Sequence, residues 1–269
     1  MNDSNLFHKY LEILEVEAAD PTYEFLCKLV KAHLIKIPFE NISKLLFKKQ
    51  GMNYIPSFEL YIAGIEEHNF GGTCYTNNYY FHLLLKNLGF DVILCGADMK
   101  NPDVHLINIV KIDGREFIVD GGYAAPFLIP VPINIDTDFI INHGNEKYIV
   151  KPKDNNNRTR VEQYSESELQ HWYATNPRPR KIDEFREVIE DSYADDAVFM
   201  NVIRAVRFTD NGSVSLRNFT LTETNGTKVI KTQISREEIP ALVNKKFGMP
   251  ENLVREAVNS IKEIKDVFD

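Results

Sequence analysis

Three cysteines in 269 residues are too few for a disulfide framework. Cys27, Cys74 and Cys95 stand far apart and none belongs to a C-x-x-C unit, so a structural metal site has no ligand spacing to rest on. Positive charge is also short: 31 Lys and Arg face 39 Asp and Glu, a net charge of −8, which leaves no global field to draw nucleic acid or an anionic membrane. No apolar run approaches the roughly 20 residues that span a bilayer. The start Met1-Asn2-Asp3-Ser4-Asn5 lacks the basic and apolar parts of a signal peptide. Internal repeats are absent, and the only biased stretch is the asparagine break at Asn155-Asn156-Asn157. The expectation is a cytoplasmic protein with no metal and no nucleic-acid or membrane partner.

What is there reads as three segments. Residues 1–89 are mainly helical in pattern: one helix through Leu6, Tyr10 and Leu14, a second opened by Asp20-Pro21 and stopped at Ile37-Pro38, and a third from Cys74 to a glycine cap at Gly89. Residues 90–195 are rich in short β runs, Val92 to Leu94, Val104 to Ile112, Glu116 to Val119, Tyr148 to Val150 and Arg160 to Tyr164, which suggests a small antiparallel sheet or barrel. Ser165-Glu166-Ser167-Glu168 resembles a helix start. Residues 196–269 mix strands at Phe199 to Phe208, Ser213 to Leu221 and Thr227 to Thr232 with helices opened by Ser235-Arg236-Glu237-Glu238 and by Pro250. The fold class expected is α+β: a helical bundle, a central antiparallel barrel and a C-terminal α/β unit.

Asp113-Gly114 is a hairpin turn signal, since both residues tolerate positive φ. A two-residue turn there sets Ile112 opposite Arg115, Ile107 opposite Asp120 and His105 opposite Gly122. His105 and Asp120 then share a face as diagonal neighbours, within reach of an imidazole–carboxylate hydrogen bond. A slip of one residue would separate them. Cys74 follows Gly71-Gly72 at a helix start, where the dipole and unpaired N–H groups favour the thiolate, the form that attacks carbonyls. A histidine beside it, oriented by an acid, would strengthen that preference. Gly71-Gly72 would bring backbone N–H groups close to a substrate oxygen. Cys27 and Cys95 read as core residues, and the other histidines show no acid or metal-ligand spacing.

The stretch His33-Leu34-Ile35-Lys36-Ile37-Pro38-Phe39-Glu40-Asn41-Ile42 resembles the H…IPFEN(L) segment of the arylamine N-acetyltransferase family. Gly71-Gly72-Thr73-Cys74 with Asn78 is similar to its R-G-G-x-C-x-E-x-N motif, and His105 followed by Val119-Asp120-Gly121-Gly122-Tyr123 to its histidine strand and V-D-V-G-F segment. Asp210-Asn211-Gly212, Leu221 and Phe247-Gly248-Met249 look like its C-terminal lid. The resemblance implies a helical bundle carrying Cys74, a β-barrel carrying His105 and Asp120, and an α/β lid. It also implies ping-pong transfer of acetyl from acetyl-CoA, through a Cys74 thioester, to an arylamine, arylhydrazine or N-hydroxyarylamine. His105 would act as base and acid and Asp120 would orient it, with Asn101 and Pro102 falling where family members contact coenzyme A or acceptor. Four positions depart from the pattern: Phe70 for the arginine, Thr76 for the acid, Gly121 for a valine and Ala124 for a glycine. In the family that arginine pairs with the acid of IPFEN, so Glu40 stands without its partner. An acyl or amide synthase using another thioester donor, a papain- or transglutaminase-like hydrolase and a degenerate binding protein are the alternatives.

Overall fold

The computed structural model describes residues 3–265. Its helices α1 (Asp3–Leu14), α2 (Tyr23–Lys36), α3 (Ile42–Lys49), α4 (Phe58–His68) and α5 (Cys74–Asn87) lead the chain, with a two-residue strand β1 (Phe39–Glu40) between α2 and α3. The cap of α2 is Thr22 rather than Asp20: its hydroxyl accepts from Phe25 N at 3.2 Å, and helical residues begin at Tyr23. Two of these leading helices, α3 and α4, have no counterpart in the helices expected from the sequence. α3 is only eight residues long, packed behind the Pro38 stop. α4 carried a legible signal: Ser57 caps it, accepting from Leu60 N at 3.3 Å, and Tyr61, Ile62 and Ile65 follow at helical spacing.

Strands β2 (Asp91–Asp98), β3 (His105–Ile112), β4 (Arg115–Val119), β5 (Val131–Pro132), β6 (Phe139–His143), β7 (Glu146–Val150), β8 (Arg160–Ser165) and β9 (Glu168–Asn176) form a nearly closed antiparallel sheet in the order β5-β4-β3-β2-β9-β8-β7-β6. The expected helix start at Ser165 is instead the β8–β9 turn. Glu166 and Ser167 both have positive φ, 51° and 71°, and Ser165 pairs with Glu168. Flanking strands that bury Val161 and Tyr173 override the local capping signal.

A short helix α6 (Arg186–Asp191) lies between single 3₁₀ turns at Ile182–Phe185 and Val198–Met200. Beyond it β10 (Arg204–Thr209), β11 (Gly212–Arg217), β12 (Thr220–Asn225) and β13 (Lys228–Gln233) form a second antiparallel sheet, followed by α7 (Ile239–Phe247) and α8 (Glu251–Ser260). Strand begins at Arg204, not Phe199, because Val198 to Met200 form the 3₁₀ turn. No helix among the described residues is long and apolar enough to cross a membrane.

The first sheet and the leading helices share one core, in which Tyr10, Leu26, Phe81, Ile107, Phe127 and Tyr173 are buried. β1 ties the parts together. Phe39 pairs with Val206 of β10 and makes a parallel bridge to Gly72, just before Cys74. Asn41 spends its whole amide on the same junction, donating to the carbonyls of Phe199 and Val202 and accepting from Arg204 N.

Candidate active site

Cys74 is the first residue of α5, so the unpaired N–H groups of that turn surround it. His105 opens β3 and Asp120 follows the last residue of β4. The hairpin has the expected register: Ile112 pairs with Arg115 and Asn108 with Val119, around a turn in which Asp113 and Gly114 have φ of 50° and 75°. His105 Nε2 is 2.8 Å from Asp120 Oδ2, and both side chains are sealed from solvent. Cys74 is 7% exposed, its Sγ 4.0 Å from the carbonyl oxygen of Val104 and beside the His105 ring. Gly122 makes this meeting possible. A Cβ there would stand 2.6 Å from Cys74 Cα, so only glycine lets the strand end reach the helix start.

Burial opposes charge on His105, but the charge of Asp120, the hydrogen bond to it and the adjacent Cys74 thiol outweigh that, raising its pKa to about 10. Burial also works against an ionised Asp120. The His105 charge and hydrogen bond, with donors from Asn78 and Gly122, nonetheless hold the carboxyl below its ordinary range. Both groups therefore favour the imidazolium–carboxylate pair.

Asn78, one turn beyond Cys74, is the hub beneath the pair. Its Nδ2 donates to Leu106 O (2.5 Å) and Asp120 Oδ1 (2.8 Å), and its Oδ1 accepts from Gly121 N (2.8 Å). Asn78 belongs to the glycine–cysteine motif, and its position four residues after Cys74, on the same helix face, is the signal in the sequence that points to this role. Aromatic rings enclose the imidazole: Tyr173 and Tyr123 lie 5.0 and 5.5 Å from it, centre to centre, and Tyr123 shares a 2.8 Å hydrogen bond with His171 Nδ1.

Packing requires glycine at both positions of the pair, and one of its two N–H groups is already spent. A Cβ on Gly71 would fall 1.9 Å from Pro38 O and one on Gly72 2.8 Å from Thr76 Cβ, while Gly71 N–H is taken by Glu40 Oε1 at 3.1 Å. Glu40 has no replacement cation among the described residues. Its carboxyl accepts from Ser43 N at 2.9 Å, Ser43 Oγ at 2.5 Å and Gly71 N, and burial raises its pKa despite those donors. Phe70, in place of an arginine, is buried with Ile42, Leu45 and Ile203 in the C-terminal core. Gly121 leaves room for the His33 ring, whose Nε2 would be 2.5 Å from a Cβ there. Ala124 adopts φ 59°, the left-handed region that glycine occupies without cost. Asn101 and Pro102 are exposed on the β2–β3 loop, whose Asp103 is gripped by Arg180 at 2.5 Å.

The sequence model of the N-acetyltransferase family matches residues 22–255. The chain belongs to the arylamine N-acetyltransferase family. Among its relatives, proansamycin X synthase of Amycolatopsis mediterranei is 28% identical over 82% of this chain and 88% of its own length. The arylamine N-acetyltransferase of Mycolicibacterium smegmatis is 25% identical over 82% and 83%. The Mycobacterium marinum arylamine N-acetyltransferase structure in complex with CoA superposes with a TM-score of 0.79, at 19% identity over 95% of this chain and 99% of that one. This last likeness shows the shared fold. Family membership makes the protein an acetyltransferase; the roles of its residues rest on the geometry above.

Proposed function

We propose that the chain moves an acetyl group from acetyl-CoA to an arylamine, arylhydrazine or N-hydroxyarylamine through a thioester on Cys74. The observation that carries this reading is the buried His105–Asp120 pair beside a cysteine at a helix N-terminus. With His105 raised to about 10, imidazolium is the favoured form at neutral pH, and it stands next to the sulfur. The Cys74 thiolate attacks the acetyl carbonyl carbon. The new S–C bond forms as the bond to the coenzyme A sulfur breaks, and His105 gives its proton to the departing thiolate. The acceptor nitrogen then attacks the thioester. Its C–N bond forms, the C–S bond breaks, and neutral His105 takes the proton from nitrogen. Asp120 keeps the ring oriented and stabilises its charged form. A near-sealed site makes these charges count for more than they would in water. Coenzyme A contacts are assigned to the exposed Asn101-Pro102 loop that runs into His105, and the relative crystallised with CoA supports that donor.

A second reading is an acyl or amide synthase with another thioester donor. It is favoured by the proansamycin X synthase relative, which matches 82% of this chain. Intact-mass measurement separates the two. Wild type incubated with acetyl-CoA is expected to gain one acetyl group that an arylamine removes. Cys74→Ala is expected to gain none and to lose turnover by more than about 10³-fold. A wild type modified only by bulkier acyl thioesters selects the synthase reading, and wild-type-like turnover in Cys74→Ala overturns both.

A further inference from the structure

One buried charged group takes no part in the reaction just described. Lys44, on α3, is 5% exposed, yet no carboxylate pairs with it among the described residues. A lysine is rarely buried without an acid, because an unpaired ammonium loses its hydration. Its Nζ donates to Ser192 Oγ at 2.6 Å and stands 4.2 Å from the centre of the Tyr193 ring. Ser192 in turn donates to Ile189 O at 2.5 Å, so its oxygen is left as an acceptor for the amine. Tyr193 packs in one cluster with Cys74, Tyr75, Leu106, Phe185 and Ile189. The ammonium therefore lies against Tyr193, a member of the cluster that holds the nucleophile.

The charged and titratable groups facing Lys44 are few. Lys48 lies one turn along its own helix and is paired with Asp195. Tyr193 comes from the segment after α6 and Cys74 from α5. Glu40, near enough to act on Tyr193, is held by Ser43 and the Gly71 N–H. No free anion remains in this set except a Cys74 thiolate.

We propose, resting on the assignment of Cys74 as nucleophile, that Lys44 is a positioning residue for it: its buried ammonium joins the His105 imidazolium in favouring the thiolate. The electrostatics agree. Burial lowers the Lys44 pKa, charge on Cys74 pulls it back up, and Lys48 pushes it down, leaving it at about 7. Lys44 is charged below that value and neutral above it, so its support for the thiolate is present in mildly acidic solution and fades on the alkaline side.

The test is the rate of Cys74 alkylation by iodoacetamide from pH 5.5 to 9, read by peptide mass mapping, in wild type, Lys44→Met and Lys44→Arg, each checked for fold by circular dichroism. Lys44→Met is expected to react about fivefold more slowly than wild type near pH 6 and to converge with it above pH 8. Lys44→Arg, which keeps its charge throughout, is expected to restore the rate near pH 6. A structural role alone would change neither the shape of the profile nor its rescue by arginine. Should Lys44→Met fail to fold, Lys44→Gln removes the same charge with a polar side chain. Profiles for the neutral variant and wild type that superimpose, or an arginine variant as slow as the neutral one, overturn the role of Lys44 alone. A wild-type Cys74 that follows the curve of a model thiol at every pH overturns the ion-pair reading of the nucleophile as well.

Discussion

Two histidines flank Asp120, one from the helical side of the molecule and one from the sheet. His33 of α2 and His105 of β3 are equally buried, at 0% and 1% exposure, and both feel the carboxylate's charge. Burial pushes His33 down to about 3 against the pull of Asp120, whereas His105 rises to about 10. The difference is contact. His105 is hydrogen-bonded to Asp120 at 2.8 Å. His33 shares its Nδ1 with Tyr10 at 3.1 Å, stacks on Phe81, and finds no partner for Nε2 among the described residues. Desolvation makes neutral histidine the default in this interior. Only a direct ionised partner reverses it.

Removing the partner should erase the contrast. Asp120→Asn is expected to turn His105 into a second neutral histidine and to lower turnover by about 10³- to 10⁴-fold. Imidazole titration by NMR should then show His105 well below about 10; a ring that stays charged to alkaline pH would break the comparison. Next in size is the pH dependence of stability. His33 binds no proton in the folded state until about pH 3, while the unfolded chain binds one below its ordinary 6.5. Stability therefore falls as pH drops through that window, by on the order of 5 kcal/mol. His105 acts on the other limb: its contribution is complete below 6.5 and is lost as pH rises to about 10. Urea midpoints across pH are expected to show a flattened acid limb in His33→Phe with the alkaline limb retained. An unchanged acid limb would remove His33 from the account. The smallest effect concerns Gly121→Ala, whose Cβ would press within 2.5 Å of His33 Nε2. A loss of about 1–3 kcal/mol is expected from denaturant unfolding, and it should shrink in the His33→Ala background if the clash is the cause.

The neighbours that give these residues their character differ in how far away they lie along the chain. The Asp113-Gly114 turn fixes the β3–β4 register through local φ preferences, and alternation does the rest, so His105 and Asp120 were legible as face-sharing residues. The helix start at Cys74 was legible too, from the apolar spacing that follows it. Short helix α3, the fate of Phe70 and the β8–β9 turn were not, because packing partners over a hundred residues away decide the first two and a strand pair overrides the local signal in the third.

By itself, then, the sequence determined the β3–β4 hairpin with its register and the start of α5, since turn chemistry and periodicity act over a few residues. Tertiary structure alone decided that α5 meets the β3–β4 hairpin at Gly122, that Asn78 supports Asp120, that Glu40 is held by Ser43 and Gly71, and that Lys44 is buried, with no acid partner among the described residues, against Tyr193 of the cluster that contains Cys74. Charge and desolvation depend on every group within several ångströms, and those groups come from segments no local pattern connects.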